Sequence, residues 1–528
     1  MRDRARDARL LLAFALPLLA FLSCLGGAPL FDVDEGAFSE ATREMFERGD
    51  FLSTWLNGAH RFDKPILIYW LQAASYFCFD GHLPPEWVFR LPSALAAIGW
   101  CCATWHFARG RFGPETALAA LAVAATALGP FIIGRAATAD ALLNLLLALA
   151  LFDAWRHLES GHRAPLLRCY AWIGLGMLTK GPIALIVPGA VTFLYCALRG
   201  GWLIWLRALG DARGWLIFAA LTVPWYGAAL ALHGRDFIDG FFLRHNVERF
   251  TGTLEGHAGS LFYYIAVVPC LLLPWTGPFL ATLRRLKADC DARAGSGLRR
   301  YLWIWAGFVV VFFSLSGTKL PHYALYGATP LFLLIAVHRD ELRRPAAHLA
   351  PPTALFLLFI ALPTLCTLLA DTEIGNAYYR AQFAEASLRA GTAYYALCGG
   401  ALLLWLAALF ALRGKVWNRL LVAAVLQTLA LALAFAPWLG AVLQGPVKEA
   451  ALFVRERPET VVTWRLTMPS ISVYRNAVTP SRPPEAGELA ITRADRVPEQ
   501  GFDILFRRAG VAVARRSAAG PESAGAAP

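Results

Sequence analysis

Long apolar runs recur along most of this 528-residue chain, and they constrain its fold more than any other feature. A helix rises 1.5 Å per residue, so about twenty apolar residues cross the roughly 30 Å hydrocarbon layer of a membrane. Thirteen spans can be drawn: 9–29, 87–108, 115–134, 138–155, 167–180, 182–198, 214–232, 260–283, 300–316, 322–338, 350–370, 393–412 and 419–441. The charged fraction is 16%, against about 25% in soluble domains. The sequence therefore predicts an all-α polytopic membrane protein.

Arginines in the short loops predict which side of the membrane each loop occupies. If the N-terminus is cytoplasmic, alternate loops carry the cation excess of cytoplasmic loops, for example Arg109 and Arg111. Thirteen spans then place the C-terminal segment outside. The net charge of +12 is largely this topology signal, so it predicts no nucleic-acid binding. The first run, 9–29, could be read as a signal peptide, but its length and the spans that follow favour a retained anchor.

Hydropathy falls near Pro446, and this change predicts a second domain. We predict a transmembrane domain over 1–445, a small soluble α/β domain over 446–516 and a disordered Ala/Gly/Pro tail over 517–528. Within the small domain, KEAALFVRERP is typical of a helix and PSISVYRN of a helix or strand. The patterns TVVTWRL, GELAITR and FDILFRRAGVAVARR are typical of strands.

An acid cluster follows the first apolar run, in the segment FDVDEGAFSEATREMFERGD over residues 31–50. Carboxylates at a helix start cap free N–H groups and complement the helix dipole, for about 0.3–1 kcal/mol each. That structural role suits Asp32 or Glu35. The alternative for a carboxylate such as Asp34 is to orient or deprotonate an acceptor at the membrane surface. The residues alone leave both interpretations open.

Two interfacial helices are predicted in the same outer loop. Residues 35–48 place apolar side chains on one stripe and charged side chains on the other, as in a helix lying at a membrane surface. Pro65 suits the first turn of a second, aromatic-rich helix within 60–79.

The outer loops also hold the candidate binding residues. Lys64 is placed either to hold a lipid-linked phosphate or to reach the membrane head groups. Later loops add the cations Arg249 and Lys319. The side chains of Asp63, His245 and His322 are either the ligands of a divalent metal (zinc, or magnesium or manganese) or ordinary polar loop residues.

Two further charged positions lie at predicted span boundaries. Arg135 and Asp140 would be costly to bury alone and could satisfy each other as a pair, and Lys180 is in a similar position. A structural role and a place beside the phosphate both stay open for these residues. No phosphate-binding G-x-x-x-x-G-K-[ST] or G-x-G-x-x-G motif follows a strand, so a soluble sugar-nucleotide domain is not predicted. A donor of an activated group would therefore be carried in the membrane.

Four stretches, in order, carry a family resemblance: DEGAFSEATREMFERGDFLSTWLNGAHRFDKPILIYWLQA, MLTKGPIALIVPG, FFLRHNVERFTG with GHAGSLFYYI, and SGTKLPHYALYGATPLFLL. Together they resemble the bacterial lipid A aminoarabinose transferase family. These are polyprenyl-phosphate-sugar-dependent glycosyltransferases of the C superfamily, which also contains the protein O-mannosyltransferases. The resemblance implies thirteen spans with a small periplasmic C-terminal domain. It also implies Asp34, with Glu35 beside it, as catalytic carboxylates, and Asp63 and Lys64 near the donor phosphate or a metal.

The chain departs from the aminoarabinose pattern at the first motif. Where that pattern resembles DETRY, this chain has DEGAF, so Ala37 replaces an arginine and Phe38 a tyrosine. Arg61 stands where a tyrosine often precedes the (E/D)KP motif. The cationic and hydroxyl contacts to the sugar are therefore expected to differ.

The resemblance implies transfer of a sugar from undecaprenyl phosphate to lipid A or another cell-envelope acceptor, at the periplasmic face of the bacterial inner membrane. Lys64, with Arg249 or Lys319, would hold the phosphate, and Asp34 would activate the acceptor, with inversion at the anomeric carbon. The alternative is a lipid or polysaccharide transporter or flippase. Transporters place charges in broken helices near the membrane midplane, whereas here the ionisable residues gather in outer loops. A nonenzymatic scaffold would leave these charges unexplained.

Overall fold

Helices dominate the chain up to Val454, and a small sheet follows. The computed structural model describes residues 14–78, 85–248, 252, 259–291, 297–372, 375–412 and 414–517, except for the side chains of residues 246 and 247. The predicted tail, apart from Ser517, lies outside the described residues. The prediction of an all-α polytopic protein with a small C-terminal α/β region is confirmed.

A helical stretch covers residues 14–22, and ten further helices follow in the described ranges of the first half of the chain. They are α1 (Asp34–Arg48), α2 (Leu67–Tyr76), α3 (Trp87–Phe112), α4 (Pro114–Thr126), α5 (Leu128–Gly134), α6 (Asp140–Ser160), α7 (Arg163–Lys180), α8 (Ile183–Leu198), α9 (Trp202–Leu209) and α10 (Ala212–Phe237). A π-helical segment, Ile238–Glu248, continues α10.

Ten more helices follow in the described ranges of the second half of the chain. They are α11 (Tyr263–Leu271), α12 (Thr276–Leu283), α13 (Leu286–Cys290), α14 (Gly297–Leu315), α15 (Ala328–Val337), α16 (Pro345–Ala370), α17 (Ala377–Ala384), α18 (Ala386–Ala411), α19 (Val416–Ala430) and α20 (Ala436–Leu443). Two 3-10 segments, Pro321–Gly327 and Arg339–Glu341, lie on either side of α15, and a π-helical turn, Leu431–Phe435, joins α19 to α20.

Six described helices are long and apolar enough to cross a membrane by themselves. They are Asp140–Ser160, Ala212–His245, Gly297–Leu315, Pro345–Ala370, Ala386–Ala411 and Val416–Leu443. The pair α4 and α5 adds a seventh span if it crosses as one unit, and it is bent by 60°. Helix α8 and the segment Pro321–Val337 are apolar but shorter. The count of thirteen spans stays a prediction.

The bend between α4 and α5 has an identifiable hydrogen-bond arrangement. A broken helix leaves carbonyl groups without their usual partners. The buried amide of Gln427 donates to the carbonyls of Thr126 (3.3 Å) and Leu273 (3.1 Å), and the N–H of Leu128 also donates to Leu273 (2.9 Å). The break is thereby stabilised inside the bundle. The chain after α5 then reaches the start of α6 at Asp140.

The segment between the first two predicted spans folds as α1, a short hairpin and α2. Helix α1 has acids in its first turn and ends at Gly49, whose positive φ of 65° favours glycine. The hairpin pairs β1 (Trp55–Leu56) with antiparallel β2 (Ala59–His60). The interfacial position of α1 stays a prediction, but part of its charged stripe is buried and does not face water. Glu40 and Arg43 are buried and form an ion pair of 2.7 Å, because protein and not solvent covers this face.

The C-terminal unit begins with α21 (Gly445–Val454) and continues with β3 (Val461–Trp464) and α22 (Ser470–Arg475). Strands β4 (Leu489–Arg493), β5 (Phe502–Arg508) and β6 (Val511–Arg516) complete a four-stranded sheet of order β3-β4-β6-β5. Strands β3 and β4 are parallel, and the other two pairings are antiparallel. These elements confirm the helices and strands predicted for this region. Its apolar core also includes Leu30, Phe89 and Ala137 from the membrane part, so the two parts pack together.

Candidate active site

A cavity of about 920 Å³ opens where seven separate parts of the chain meet. Its walls come from the start of α1, the segment 56–64, the start of α6, the end of α7, the π-helical segment and the first 3-10 segment. The charged or ionisable side chains on these walls are Asp34, His60, Arg61, Asp63, Lys64, Asp140, Lys180, Arg244, His245 and His322. Thr467 of the C-terminal unit also lines the cavity. Segments that are far apart in the sequence therefore meet at one cavity.

Asp34 is the first residue of α1 and lies on the cavity wall. Its side chain is exposed within the cavity and makes no hydrogen bond or salt bridge to any residue that the structure describes. The N-terminus of a helix favours a negative charge, which stabilises the ionised carboxylate. Asp34 is thus an accessible anionic oxygen that is free to accept a proton or a hydrogen bond from a ligand.

Glu35 has a different environment from its neighbour, since it is only 3% exposed and does not line the cavity. Arg90 donates to both of its oxygens, from Nε (2.9 Å) and Nη2 (2.7 Å). The backbone N–H groups of Phe31 (2.8 Å) and Ala137 (2.7 Å) donate as well. Arg90 in turn donates to the carbonyls of residues 25, 28 and 29. The predicted catalytic pair is therefore split, and the contacts of Glu35 are those of a structural residue.

Asp63 is the centre of a cluster of cationic groups. Its carboxylate accepts from Lys64 Nζ (2.5 Å) and Arg61 Nη2 (2.9 Å), and His245 Nδ1 lies 3.1 Å away. Burial alone would raise the pKa of Asp63, but Lys64, His245 and Arg61 hold that pKa well below its usual range. The ionised Asp63 therefore orients Lys64 and Arg61 at the cavity wall.

The three predicted metal ligands do not all meet. Asp63 and His245 are adjacent, whereas His322 Nε2 lies 3.8 Å from Asp140. Within the described ranges no group of three or more His, Cys, Asp or Glu side chains is arranged to hold a metal ion. The oxygens of Asp63 are also already paired with Lys64 and Arg61. These residues as arranged do not fit a three-ligand site, and the metal stays a prediction.

The predicted phosphate-binding cations differ in position. Lys64 lines the cavity. Lys319 donates to the carbonyl of Ser316 (2.7 Å) and is not part of the cavity wall. Arg249 lies outside the described residues. Arg244, from the π-helical segment, is on the wall instead.

Asp140 and Lys180 form a second charged pair on the cavity wall, with Lys180 Nζ 2.5 Å from the carboxylate. Tyr326 also donates to Asp140 (3.2 Å). The pairing of Asp140 with Arg135 that the sequence allows is not formed. Arg135 donates to the carbonyls of residues 20 and 24, because those carbonyls lie beside it near the end of the helical stretch 14–22. Lys180 belongs to MLTKGPIALIVPG, one of the four stretches that carry the family resemblance, and it could have been found as a site residue from that stretch.

Arg61 is the residue whose position sequence reasoning missed most clearly. Its guanidinium lies 5.2 Å from the centre of the Phe38 ring, close enough for a cation–π contact. Its Nη1 is buried and has no hydrogen-bond partner among the described residues. Arg61 therefore places a cation beside α1, next to Phe38.

Comparisons with known proteins agree with this arrangement. A family model described as dolichyl-phosphate-mannose-protein mannosyltransferase matches residues 63–227. An undecaprenyl phosphate-alpha-4-amino-4-deoxy-L-arabinose arabinosyl transferase of Pseudomonas aeruginosa is 31% identical over 352 residues, covering 63% of this chain and 60% of that protein. The chain is thus similar to membrane glycosyltransferases over part of its length. These relatives are named as transferases and not as transporters, the alternative that the sequence leaves open.

Two more proteins extend the comparison. The corresponding arabinosyl transferase of Erwinia tasmaniensis is 28% identical over 321 residues, covering 58% of this chain and 55% of that protein. The matched parts thus span less than two thirds of these two curated arabinosyl transferases. The crystal structure of ArnT from Cupriavidus metallidurans bound to undecaprenyl phosphate superposes with a TM-score of 0.76 at 22% identity, covering 97% of this chain and 99% of that one. It shows that the two proteins share a fold.

Proposed function

We propose that this protein transfers a sugar from a polyprenyl phosphate, undecaprenyl phosphate in a bacterium, to lipid A or another cell-envelope acceptor. The reaction takes place at the outer face of the inner membrane, with the N-terminus in the cytoplasm and the C-terminal domain outside. The observation that carries the proposal is an accessible carboxylate, Asp34, in one cavity with the cations Arg61, Lys64 and Arg244. Related proteins named for transfer from an undecaprenyl phosphate sugar support the donor class.

The cations of the cavity suit the donor phosphate. A lysine ammonium acts as a point charge toward a phosphate oxygen, and an arginine can also form paired hydrogen bonds. Lys64 is oriented by Asp63, and Arg244 reaches the wall from the π-helical segment. As the bond between the anomeric carbon and the phosphate oxygen breaks, these cations stabilise the charge that accumulates on the leaving polyprenyl phosphate.

An apolar groove of about 450 Å³ lies on the other side of the same π-helical segment. Ile238 and Phe242 line this groove, whereas Gly240 and Arg244 line the polar cavity. A ligand with a charged head and a hydrocarbon tail requires two such environments side by side. The groove therefore supports a lipid-linked donor, whose tail lies along α10.

Asp34 acts on the acceptor. Its carboxylate accepts the proton of the acceptor hydroxyl as that oxygen attacks the anomeric carbon. The new carbon–oxygen bond forms on the face opposite the leaving phosphate, so the configuration inverts. Glu35, held by Arg90 and two backbone N–H groups, positions the first turn of α1 and does not take part in the proton transfer.

The test is a deletion strain compared with its parent by mass spectrometry of lipid A and other glycolipids. Loss of a pentose-like mass from lipid A, restored by the wild-type gene and not by Asp34→Asn, is the expected result. An unchanged lipid A in the deletion strain would exclude lipid A as the acceptor. The same extracts would then be searched for another glycan that loses its sugar, and the absence of any such change would refute transfer.

A further inference from the structure

The short helix α22 of the C-terminal domain packs against the acidic motif that carries Asp34. The N–H of Ser470 donates to Asp32 Oδ1 (3.0 Å), and the Ser470 hydroxyl donates to Asp32 Oδ2. Asp32 therefore caps the first turn of a helix that is more than 430 residues away along the chain. Ser470 is 1% exposed, so the contact is not a surface one.

A second contact joins the same two segments. The N–H of Leu30 donates to the hydroxyl oxygen of Tyr474 (2.7 Å), and that hydroxyl donates to Glu86 (3.1 Å). Lys448 of the C-terminal domain also pairs with Glu86 (2.6 Å). The chain entering α1 is thus tied to α22 at residue 30 and again at residue 32. Asp34 follows two residues after the second tie.

Gly36 shows how closely α22 approaches. A Cβ atom at this position would lie 2.5 Å from the Ser470 nitrogen and 2.0 Å from Asp32 Oδ1. Both distances are far inside normal contact. Glycine within a helix is less favourable than alanine, so a glycine here needs a compensating reason. The close passage of α22 provides that reason, and it also explains one departure of DEGAF from the aminoarabinose pattern.

We infer that α22 of the C-terminal domain is a positioning element of the active site, which holds the Asp34 carboxylate in place through the contact of Ser470 with Asp32 and Gly36. The same domain contributes Thr467 to the cavity wall. Thr467 lies two residues before Pro469, the N-cap residue of α22. The C-terminal domain is therefore part of the catalytic unit. The role given to Asp34 rests on the proposed function, whereas the docking of α22 does not.

The experiment compares purified full-length variants in a donor-to-acceptor transfer assay. Gly36→Ala forces α22 to withdraw by about 1 Å, and a displacement of this size can reduce catalysis about a hundredfold. We expect kcat to fall about ten- to hundredfold in Gly36→Ala and in Ser470→Ala, with KM for the donor changed less than twofold. The double variant Asp32→Asn/Ser470→Ala should be no slower than the slower single variant, because both changes remove one contact.

Matched controls separate position from stability. Gly307→Ala adds the same methyl group to helix α14, where no atom outside the helix backbone lies within 4 Å of the new Cβ. Ser481→Ala removes an exposed hydroxyl from the C-terminal domain. Both should keep wild-type kcat. Equal kcat in Gly36→Ala and its control would overturn the inference. So would a fall in kcat that is accompanied in proportion by loss of folded protein.

Hydrogen exchange tests the docking even in variants that do not transfer sugar. In Asp32→Asn, amides over 470–475 and over 31–36 should exchange faster together, while those of β6 stay protected. Faster exchange in neither segment would overturn the inference. If the wild type itself transfers no sugar but the two segments still exchange together, the proposed function fails and the docking of α22 stands.

Discussion

Asp34 and Glu35 are adjacent carboxylates in the first turn of α1, and removing the charge of each should have a different effect. Asp34→Asn and Glu35→Gln each remove one negative charge and keep the shape of the side chain. Asp34 faces the cavity without a partner among the described residues, whereas Glu35 is buried against Arg90. The first change should therefore affect the reaction, and the second should affect the folded state.

The structure sets the size of both effects. Arg90 and Glu35 are each about 4% exposed and are joined at 2.7 Å. Removing one member of a buried pair leaves the other charge uncompensated, at a cost of about 3–5 kcal/mol of stability. Loss of a general base slows a reaction by about 10²- to 10⁴-fold, which is about 3–5 kcal/mol in the barrier. The two free-energy changes are thus similar in size. In Glu35→Gln the change lowers the stability of the folded protein, and in Asp34→Asn it raises the reaction barrier.

The assay measures melting temperature and kcat on the same purified samples in detergent. Asp34→Asn should melt like the wild type and transfer sugar at least a hundredfold more slowly. Glu35→Gln should melt well below the wild type, and the fraction that remains folded should keep a kcat within about tenfold. Each variant is the control for the other, because they differ by one position.

Two results would refute this reasoning. Full activity in Asp34→Asn would remove that carboxylate from the proton transfer. A Glu35→Gln protein with wild-type melting and abolished transfer would show that Glu35 takes part in the chemistry, as the family resemblance implies.

Three more predictions follow from the cavity and its surroundings. Lys64→Ala should raise KM for the lipid-linked donor at least tenfold and leave KM for the acceptor nearly unchanged, and the reverse pattern would remove Lys64 from the phosphate site. Treatment with a chelator, followed by metal analysis and assay, should leave transfer intact, because Asp63 is already paired with cations; loss of activity that zinc or manganese restores would contradict this. Burial raises the pKa of Asp32 to about 7, so the folded state binds this proton more tightly than the unfolded chain does. Stability from Asp32 is therefore present at low pH and falls as the pH rises from about 4 to 7, and Asp32→Asn should flatten the melting-temperature profile over that window.

Residue types and their order along the chain are enough to predict the class of fold. Asp34, Asp63 and Lys64 stand out as ionisable residues after the first span, the family resemblance implies a role for them, and all three line one cavity. The elements of the C-terminal domain are also predictable, since alternating apolar patterns identify short strands well. The class of fold and these elements depend on short-range residue patterns, which are visible in the sequence.

The features that sequence does not predict depend on packing between distant segments. Adjacent residues in a helix point about 100° apart, and sequence does not say which of Asp34 and Glu35 faces a cavity. Nothing in residues 35–48 indicates that α22 will cover the charged face of α1, so the pattern alone places that face in water. Asp140 pairs with Lys180 and not with Arg135 because of where α6 and α7 lie in the bundle.

The lining of the cavity by Thr467 also has a consequence for biogenesis. Asp34 is synthesised early, but Thr467, which lines the same cavity, is made more than 430 positions later. The cavity is therefore complete only after the C-terminal region has been synthesised and has packed against the start of α1. A chain truncated before Thr467 would carry Asp34 without this part of the cavity lining.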